Sequence, residues 1–245
     1  MKIENGIYML EISANIKGRV SVLNPTLIWD KDSLVLIDTG FPGQLNQFNE
    51  AFEKEGIPFS KLNTVILTHQ HIDHIGSISD ILKEIPGRVE VLTHEKEKPY
   101  ISGEKKPVKF EEGLEHLPDN AKVIYEKLKV DFKNGRVNVD KTLIDGQEIP
   151  YCGGIIIVHT PGHTPGHISL YLKKWKILIA GDILSVKEGL LIKANGDYNY
   201  DNELNMESIK KLMKYDIETV ICYHGGIYKG DVKKRIVELV NDLQQ

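Results

Sequence analysis

The chain reads as an α/β protein with two β-sheets and helices outside them. Three observations carry this. Short apolar, β-branched runs end in turn residues, longer amphipathic segments follow them, and the second half repeats the strand-then-helix order of the first. Strands come first. Residues 7–12 and 25–29 are short and apolar or β-branched, and Leu34–Ile37 is an apolar run closed by Asp38-Thr39-Gly40; together they are expected to form an antiparallel meander. Residues 42–55 then read as a helix, Thr64–Leu67 as a buried strand, residues 73–84 as a helix stopped by Pro86, and residues 89–92 as the next strand.

Residues 95–140 are charged, Lys-rich and least core-like, with 113–130 the best helix candidate. This stretch interrupts two strand-rich halves, so it is read as an insertion that could cover a site as a lid or join two subunits in a homodimer. Beyond it, Ile155–His159, Ile168–Leu172 and residues 176–179 are expected strands. A helix over 206–214, a strand over 219–223 and a last helix over 231–243 follow. No Pro-, Gly- or Ser-rich linker divides the 245 residues, so 1–245 is read as a single domain carrying the 95–140 insertion.

Composition narrows the function classes. A formal charge of -4 with interspersed signs offers no basic stripe for a phosphate backbone, which argues against nucleic acid as partner. No run approaches the roughly twenty apolar residues of a membrane span. Residues 1–10 include Lys2, Glu4 and Asn5 and lack an apolar signal core, so a cytoplasmic location and no membrane partner are expected. Cys152 and Cys222 are too few for a disulfide scaffold. Cys152 reads as a small residue before a Gly-Gly turn. Cys222, two positions before His224, has a weak claim to a metal.

The chemistry begins where the strand Thr64–Leu67 ends. Three of nine histidines, His69, His71 and His74, cluster there with Asp73 in the run Thr68-His69-Gln70-His71-Ile72-Asp73-His74. Burying these groups together is costly unless a cation binds their lone pairs and offsets charge. Alternate residues of an extended segment share a side, so His69 and His71 can grip one ion, while Asp73 and His74 at the turn into the helix can reach a second. His163, Asp182 and His224 each follow a strand and are candidates to complete the set. A closed structural zinc site would commonly include cysteine, and none lies near this cluster.

With these residues the chain resembles the metallo-β-lactamase superfamily over nearly its whole length: Asp38-Thr39-Gly40, the His-x-His-x-Asp-His run, His163, Asp182 and His224 stand in that family's order. The resemblance implies a four-layer αβ/βα sandwich with its site at one edge between the sheets. It further implies two Zn2+ per chain, one held by His69, His71 and His163, the other by Asp73, His74 and His224, with Asp182 bridging; imidazole and carboxylate also accept iron or manganese. Departures narrow the subfamily. Members that cleave β-lactams commonly lack the bridging Asp that Asp182 supplies. Flavodiiron oxidoreductases carry Glu at the place of His71. Long glyoxalase II enzymes add a helical C-terminal domain after the place of His224. Acyl-homoserine lactonases look similar in size and in the Pro-Gly-His segment but carry Tyr where Ser185 stands here; chain length and motif set look most like the small lactonase and glyoxalase-like members.

Such a pair of ions shares a water, lowers its pKa and holds the hydroxide against an electrophilic carbon or phosphorus. Asp73 is the candidate catalytic residue, accepting or shuttling a proton. The expected activity is zinc-dependent hydrolysis of a carboxylic ester, lactone or thioester of a small molecule. A phosphoesterase with the same site is the alternative, for which Lys105, Lys106 and Lys109 could bind a small anion, and a non-catalytic metal-binding protein is the third reading. Asp38 is expected to orient a ligating imidazole. His94, His159 and Tyr223 are candidates for the site's surroundings, and Tyr198, Tyr200 and Tyr228 join Tyr223 as candidate leaving-group acids. His116 reads as a surface residue and His167 as support for the loop at His163.

Overall fold

A computed structural model describes residues 1–16, 19–108 and 119–241. Along the chain run β1 (Lys2–Glu4), β2 (Ile7–Met9), β3 (Ile12–Ile16), β4 (Arg19–Leu23), β5 (Thr26–Trp29), β6 (Leu34–Ile37), α1 (Leu45–Lys54), β7 (Thr64–Leu67), α2 (Ile72–Ile75), α3 (Ile78–Glu84), β8 (Glu90–His94), α4 (Lys98–Ile101), α5 (Asp119–Asn134) and β9 (Lys141–Leu143). The second half supplies β10 (Glu148–Ile149), β11 (Ile155–His159), β12 (Ile168–Leu172), β13 (Ile177–Ile179), β14 (Leu184–Lys187), β15 (Leu190–Lys193), α6 (Asn202–Lys211), β16 (Thr219–Cys222), β17 (Gly226–Tyr228) and α7 (Val232–Asn241). Lys109, His116 and residues 113–118 and 242–243 of two expected helices lie outside the described residues.

Strand alternation builds the layers. One sheet runs β1-β2-β5-β6-β7-β8-β9, the other β10-β11-β12-β13-β16-β17. Because successive side chains point to opposite faces, each strand feeds two apolar layers. Val35, Ile37, Ile66 and Leu92 of the first sheet meet Ile155, Ile157, Leu170, Ile179 and Ile221 of the second in a central layer. Leu34, Leu36, Val65 and Val91 face outward onto Phe48 and Phe52 of α1 and Ile78 and Ile81 of α3. On the far side, Val158, Leu178 and Val220 pack under Met206 and Ile209 of α6 and under Val232, Ile236 and Leu239 of α7, whose i, i+4, i+7 spacing forms one helix face. Three apolar layers between helix, sheet, sheet and helix make the αβ/βα sandwich. Each fully buried Ile or Leu contributes about 1.5–3 kcal/mol.

Topology gathers the strand ends. β6, β7 and β8 are mutually parallel, so Asp38, Thr68 and His94 stand at one edge of the first sheet. In the second sheet β11, β13 and β16 run the same way, with β12 antiparallel between the first two, which brings the segments after His159, Ile179 and Cys222 to one edge as well. The two edges coincide: Ile168 N–H donates to Thr68 O at 3.1 Å, and Asn24 N–H to Tyr223 O at 2.9 Å.

The structure redraws several expected elements. The strand over 7–12 divides at Leu10, whose N–H donates to Pro25 O and whose carbonyl accepts from Asn24 Nδ2; beyond it β3 pairs with β4 as a separate hairpin. The helix over 73–84 is two helices. Its break at Gly76 lets the turn after β6 dock, with Gly76 N–H donating to Gly40 O at 2.8 Å and Thr39 N–H to His74 O at 2.7 Å. A Cβ on Gly76 would stand 2.3 Å from Pro42 N, so only glycine permits this approach. β14 and β15, unforeseen in the sequence, form a hairpin beside His224. In the expected insertion, α5 packs against α2, with Phe132 partly buried on the outer apolar layer. Among the described residues no helix is long and apolar enough to cross a membrane.

Candidate metal centre

All seven residues singled out in the sequence converge at the shared edge, in two groups: His69, His71, His163 and Asp182, and Asp73, His74, Asp182 and His224. Within each group one ligand-capable atom per residue lies within 4.8 Å of every other, and Asp182 belongs to both. Asp182 Oδ1 is 3.3 Å from His74 Nε2, and its Oδ2 lies 3.4 Å from His163 Nε2 and 3.3 Å from His224 Nε2. His163 Nε2 and His71 Nδ1 face each other at 2.9 Å.

Local structure aims each ring. Asp38 adopts a left-handed backbone, φ 62°, which Asp tolerates better than most residues, and its buried carboxylate accepts from His74 Nδ1 at 2.8 Å and from Thr68 N–H and Oγ1 at 2.8 and 2.7 Å. With its hydroxyl proton given to Asp38, Thr68 Oγ1 can accept from His69 Nδ1 at 3.0 Å. Both Nδ1 atoms are thereby occupied, leaving His69 Nε2 and His74 Nε2 to face the centre. His163 Nδ1 donates to Asn199 Oδ1 at 3.0 Å, with the same result for its Nε2. Asp38 thus hydrogen-bonds the His74 ring; the contacts of Thr68 and Asn199 were not foreseen.

His167 does more than support its loop. Its Nε2 accepts the Asp182 N–H at 2.9 Å, so its Nδ1 donates to Thr160 Oγ1 at 2.8 Å, and the chain continues through Ser169 Oγ to Ala180 O. This ladder of neutral donors fixes the backbone of Asp182. Burial, helped by His163, holds the His167 ring well below its ordinary pKa, in the neutral form that accepting this bond requires.

Electrostatics divides the residues. Burial, joined by His74, His71 and His163, drives His69 well below the usual histidine range. His74 goes the other way: burial opposes its charge, but the carboxylates of Asp182, Asp38 and Asp73 outweigh burial and raise it well above. His224, against the same opposition from burial, is raised to about 10 by Asp182 and Asp73. Burial pushes the Asp182 carboxyl up, and His224 and His74 overcome it to hold the group well below the carboxylate range. Protons on these imidazoles stand where a divalent cation would serve the same carboxylates.

The residues fit such a cation on independent grounds. His69 Nε2, His74 Nε2 and Asp182 Oδ1 are buried without a well-formed hydrogen bond, the last two facing each other at 3.3 Å, and all three residues belong to the two groups. Buried polar atoms left unsatisfied at one place are costly, and a metal would satisfy them together. Three imidazoles and a carboxylate in the first group, and two of each in the second, suit zinc or another first-row divalent ion.

A cavity of about 390 Å³ opens on the cluster. It is lined by His71, Asp73, His163, Asp182 and His224, by the apolar Phe41, Leu184 and Ala194, and by Ser185, Asn195 and Tyr198. Among the described residues lining it there is no Lys or Arg. Ser185 Oγ donates to His224 O at 2.9 Å. Of the four tyrosines, only Tyr198 lines this cavity. Tyr223 is buried, stacks on His74 with ring centroids 3.9 Å apart, donates to Asp73 O and accepts from Gly40 N–H; its hydroxyl holds backbone and is spoken for.

His94 and His159 stack on each other at 4.1 Å and 8° and do not line the cavity. His159 Nε2 reaches Pro165 O at 3.1 Å, so this ring supports the loop after His163, whereas His94 Nδ1 accepts from Lys96 N–H. Cys222 belongs to neither ligand group: it is buried in the layer beneath α6 and α7, and burial raises its thiol pKa. Cys152 is buried in the central layer, its thiol pushed up to about 12, also by burial.

Comparison with known proteins agrees with this geometry. The family model described as the metallo-beta-lactamase superfamily matches residues 18–224. The probable metallo-hydrolase YflN of Bacillus subtilis is 33% identical over 86% of this chain and 83% of its own length. The hydroxyacylglutathione hydrolase GloC of Haemophilus influenzae is 30% identical over 84% and 86%. In three dimensions, the metallo-beta-lactamase family protein TTHA1429 of Thermus thermophilus superposes with a TM-score of 0.72 at 22% identity, covering 98% of this chain and 80% of that one.

Proposed function

The chain belongs to the metallo-β-lactamase superfamily, and from that premise we propose that it is a zinc-dependent hydrolase with a dinuclear site that cleaves a carboxylic ester, lactone or thioester of a small molecule. The observation that carries the reading is Asp182, shared by two four-residue groups at the floor of a solvent-accessible cavity. In this reading His69, His71 and His163 hold one ion, Asp73, His74 and His224 the other, and Asp182 touches both. When bound, the ions supply a water made nucleophilic near neutral pH and a Lewis acid for the substrate's carbonyl oxygen.

The chain's own residues do the rest. Asp73 lines the cavity and is one-fifth exposed, with Oδ2 3.4 Å from His224 Nε2, so it can take up a proton at the reacting centre and pass it to solvent. Phe41, Leu184 and Ala194 offer apolar surface to an acyl group, and the absence of Lys and Arg among the described lining residues suits an uncharged group better than a phosphate. Tyr198, which lines the same cavity, would be the residue to donate to a leaving oxygen or sulfur. The thioester arm also has the support of a relative named as a hydroxyacylglutathione hydrolase.

The test is a kinetic panel of lactones, thioesters and phosphate esters with zinc-loaded protein, set beside His71→Ala. Acyl substrates are expected to turn over, and His71→Ala to abolish that activity. Preference for phosphate esters would replace the acyl reading with the phosphoesterase one. Bound metal with no turnover of any class would leave a metal-binding protein.

A further inference from the structure

Outside the seven candidate ligands and Asp38, a further buried charged group faces the centre's scaffold. Glu97, the residue before α4, is fully buried, in a stretch, Glu95-Lys96-Glu97-Lys98, that reads in sequence as solvated. Its carboxylate accepts four hydrogen bonds. Oε2 takes Gln70 N–H at 2.9 Å and Gln70 Nε2 at 3.0 Å; Oε1 takes Thr164 Oγ1 and Gly166 N–H, each at 2.7 Å. Gln70 stands between His69 and His71, and Thr164 directly follows His163. One carboxylate therefore clamps both segments that carry the first imidazole triad, from opposite sheets.

The clamp is tightly fitted. A Cβ on Gly166 would stand 2.8 Å from Glu97 Cγ and 2.9 Å from Oε1, so the backbone there closes on the carboxylate as only glycine can. Gln70 is itself buried, and its Oε1 accepts Val108 N–H at 2.8 Å, a second bond to the expected insertion. The segment of the other group, from Asp73 onward, makes no bond to Glu97.

We propose that Glu97 is a positioning residue for the first ion, holding His69, His71 and His163 in register by tying the His69–His71 segment to the His163 loop. The inference rests on the metal reading of the seven residues. Four donors converge on an acceptor-only group, so a neutral isostere cannot replace it. In Glu97→Gln the amide nitrogen faces one of the two pairs, and although the Thr164 hydroxyl can turn to accept from it, Gly166 N–H on that side, or Gln70 N–H and Nε2 on the other, is opposed donor to donor, which loosens that segment. Groups that orient metal ligands typically change affinity about 10–100-fold when removed.

The experiment measures zinc binding to the full chain by competition with a chromophoric chelator, together with melting of the metal-free protein. Wild type is expected to take up two ions. Glu97→Gln is expected to bind one of them 10–100-fold more weakly, and the other as wild type does. Adding His71→Ala to Glu97→Gln should cost no further site, whereas adding His224→Ala should remove the remaining one. Equal weakening of both ions, or wild-type affinity for both, overturns the proposal. Should Glu97→Gln fail to fold, Thr164→Val removes one of the four donors and is expected to weaken the same ion alone; unchanged affinity there overturns the proposal equally. Wild-type protein that takes up no zinc overturns the metal reading and this inference with it, while normal wild-type uptake with normal uptake in the variants overturns the inference alone.

Discussion

The two ligand groups draw equally on the two sheets, yet they are built differently. His69, His71 and His163 are at most 8% exposed and rest on uncharged or distant partners: the Thr68 hydroxyl, the Asn199 amide and a loop held by Glu97. In the other group the side chains of His224 and Asp73 are 35% and 19% exposed, and Asp73, Asp182 and Asp38 surround His74. The first group is the more buried socket, with Asp182 its one carboxylate, and the second is the more open and more anionic one. A site that both holds metal and admits substrate benefits from this division, because the open side can exchange partners while the buried side keeps its geometry.

The largest expected effect comes from removing what the groups share. Asp182→Ala should lower zinc uptake at both sites and bring turnover to background, read by elemental analysis and kinetics; loss of one ion only would mean that Asp182 serves a single group. Next is the open side. Asp73→Asn is expected to lower turnover about 10²–10⁴-fold, the usual contribution of a positioned proton acceptor, while leaving the ion of the buried group in place. Near-normal turnover with both ions bound would remove Asp73 from the chemistry. On the buried side, Asn199→Ala frees His163 Nδ1 and should weaken one ion about tenfold in a chelator competition, with the other unchanged.

The smallest effect concerns a support that only the buried side has. His94 stacks on His159, which holds the His163 loop through Pro165 O. Burial, then His159 and Lys96, with Lys211 adding to them and Asp145 opposing, lowers the His94 pKa from 6.5 to about 4. His159 is lowered as well, by burial foremost. In the window between 6.5 and about 4 the unfolded chain binds a proton at His94 that the folded chain refuses, so the contribution of this stacked pair to stability is complete above 6.5 and falls as pH drops towards 4. Denaturant titrations of metal-free protein should show this slope. His94→Phe, which keeps a stacked ring, should flatten it, and an unchanged slope would place the pH dependence elsewhere.

How legible each side was follows from chain distance. His69, His71, Asp73 and His74 announce themselves because six consecutive residues carry them, and His163, Asp182 and His224 are readable as histidines or an acid just past apolar strands. Residues that orient them were harder. Asp38 shows in its Asp-Thr-Gly turn, but Thr68, Thr160, Ser169 and Asn199 are ordinary polar residues whose bonds to Asp38, His167, Thr160 and His163 join positions 30, 7, 9 and 36 apart. Glu97 gave no signal at all, since an acid among lysines has the pattern of a solvated face. Tyr223 looked like a candidate acid because sequence records a phenol and not that its hydroxyl already bridges Asp73 O and Gly40 N–H.

The sequence by itself determined the α/β class, the alternation that sends Ile66 inward and Val65 outward, and the identity of the seven candidate ligands, because periodicity and residue chemistry are local properties. Tertiary structure decided which polar neighbours orient the seven residues, that helix 73–84 breaks at Gly76, and that Glu97 is buried. Those outcomes depend on which strand ends the two sheets bring to one edge. No local pattern encodes that, because the contacts join residues from Asp38 to His224 that meet only when the central apolar layer closes.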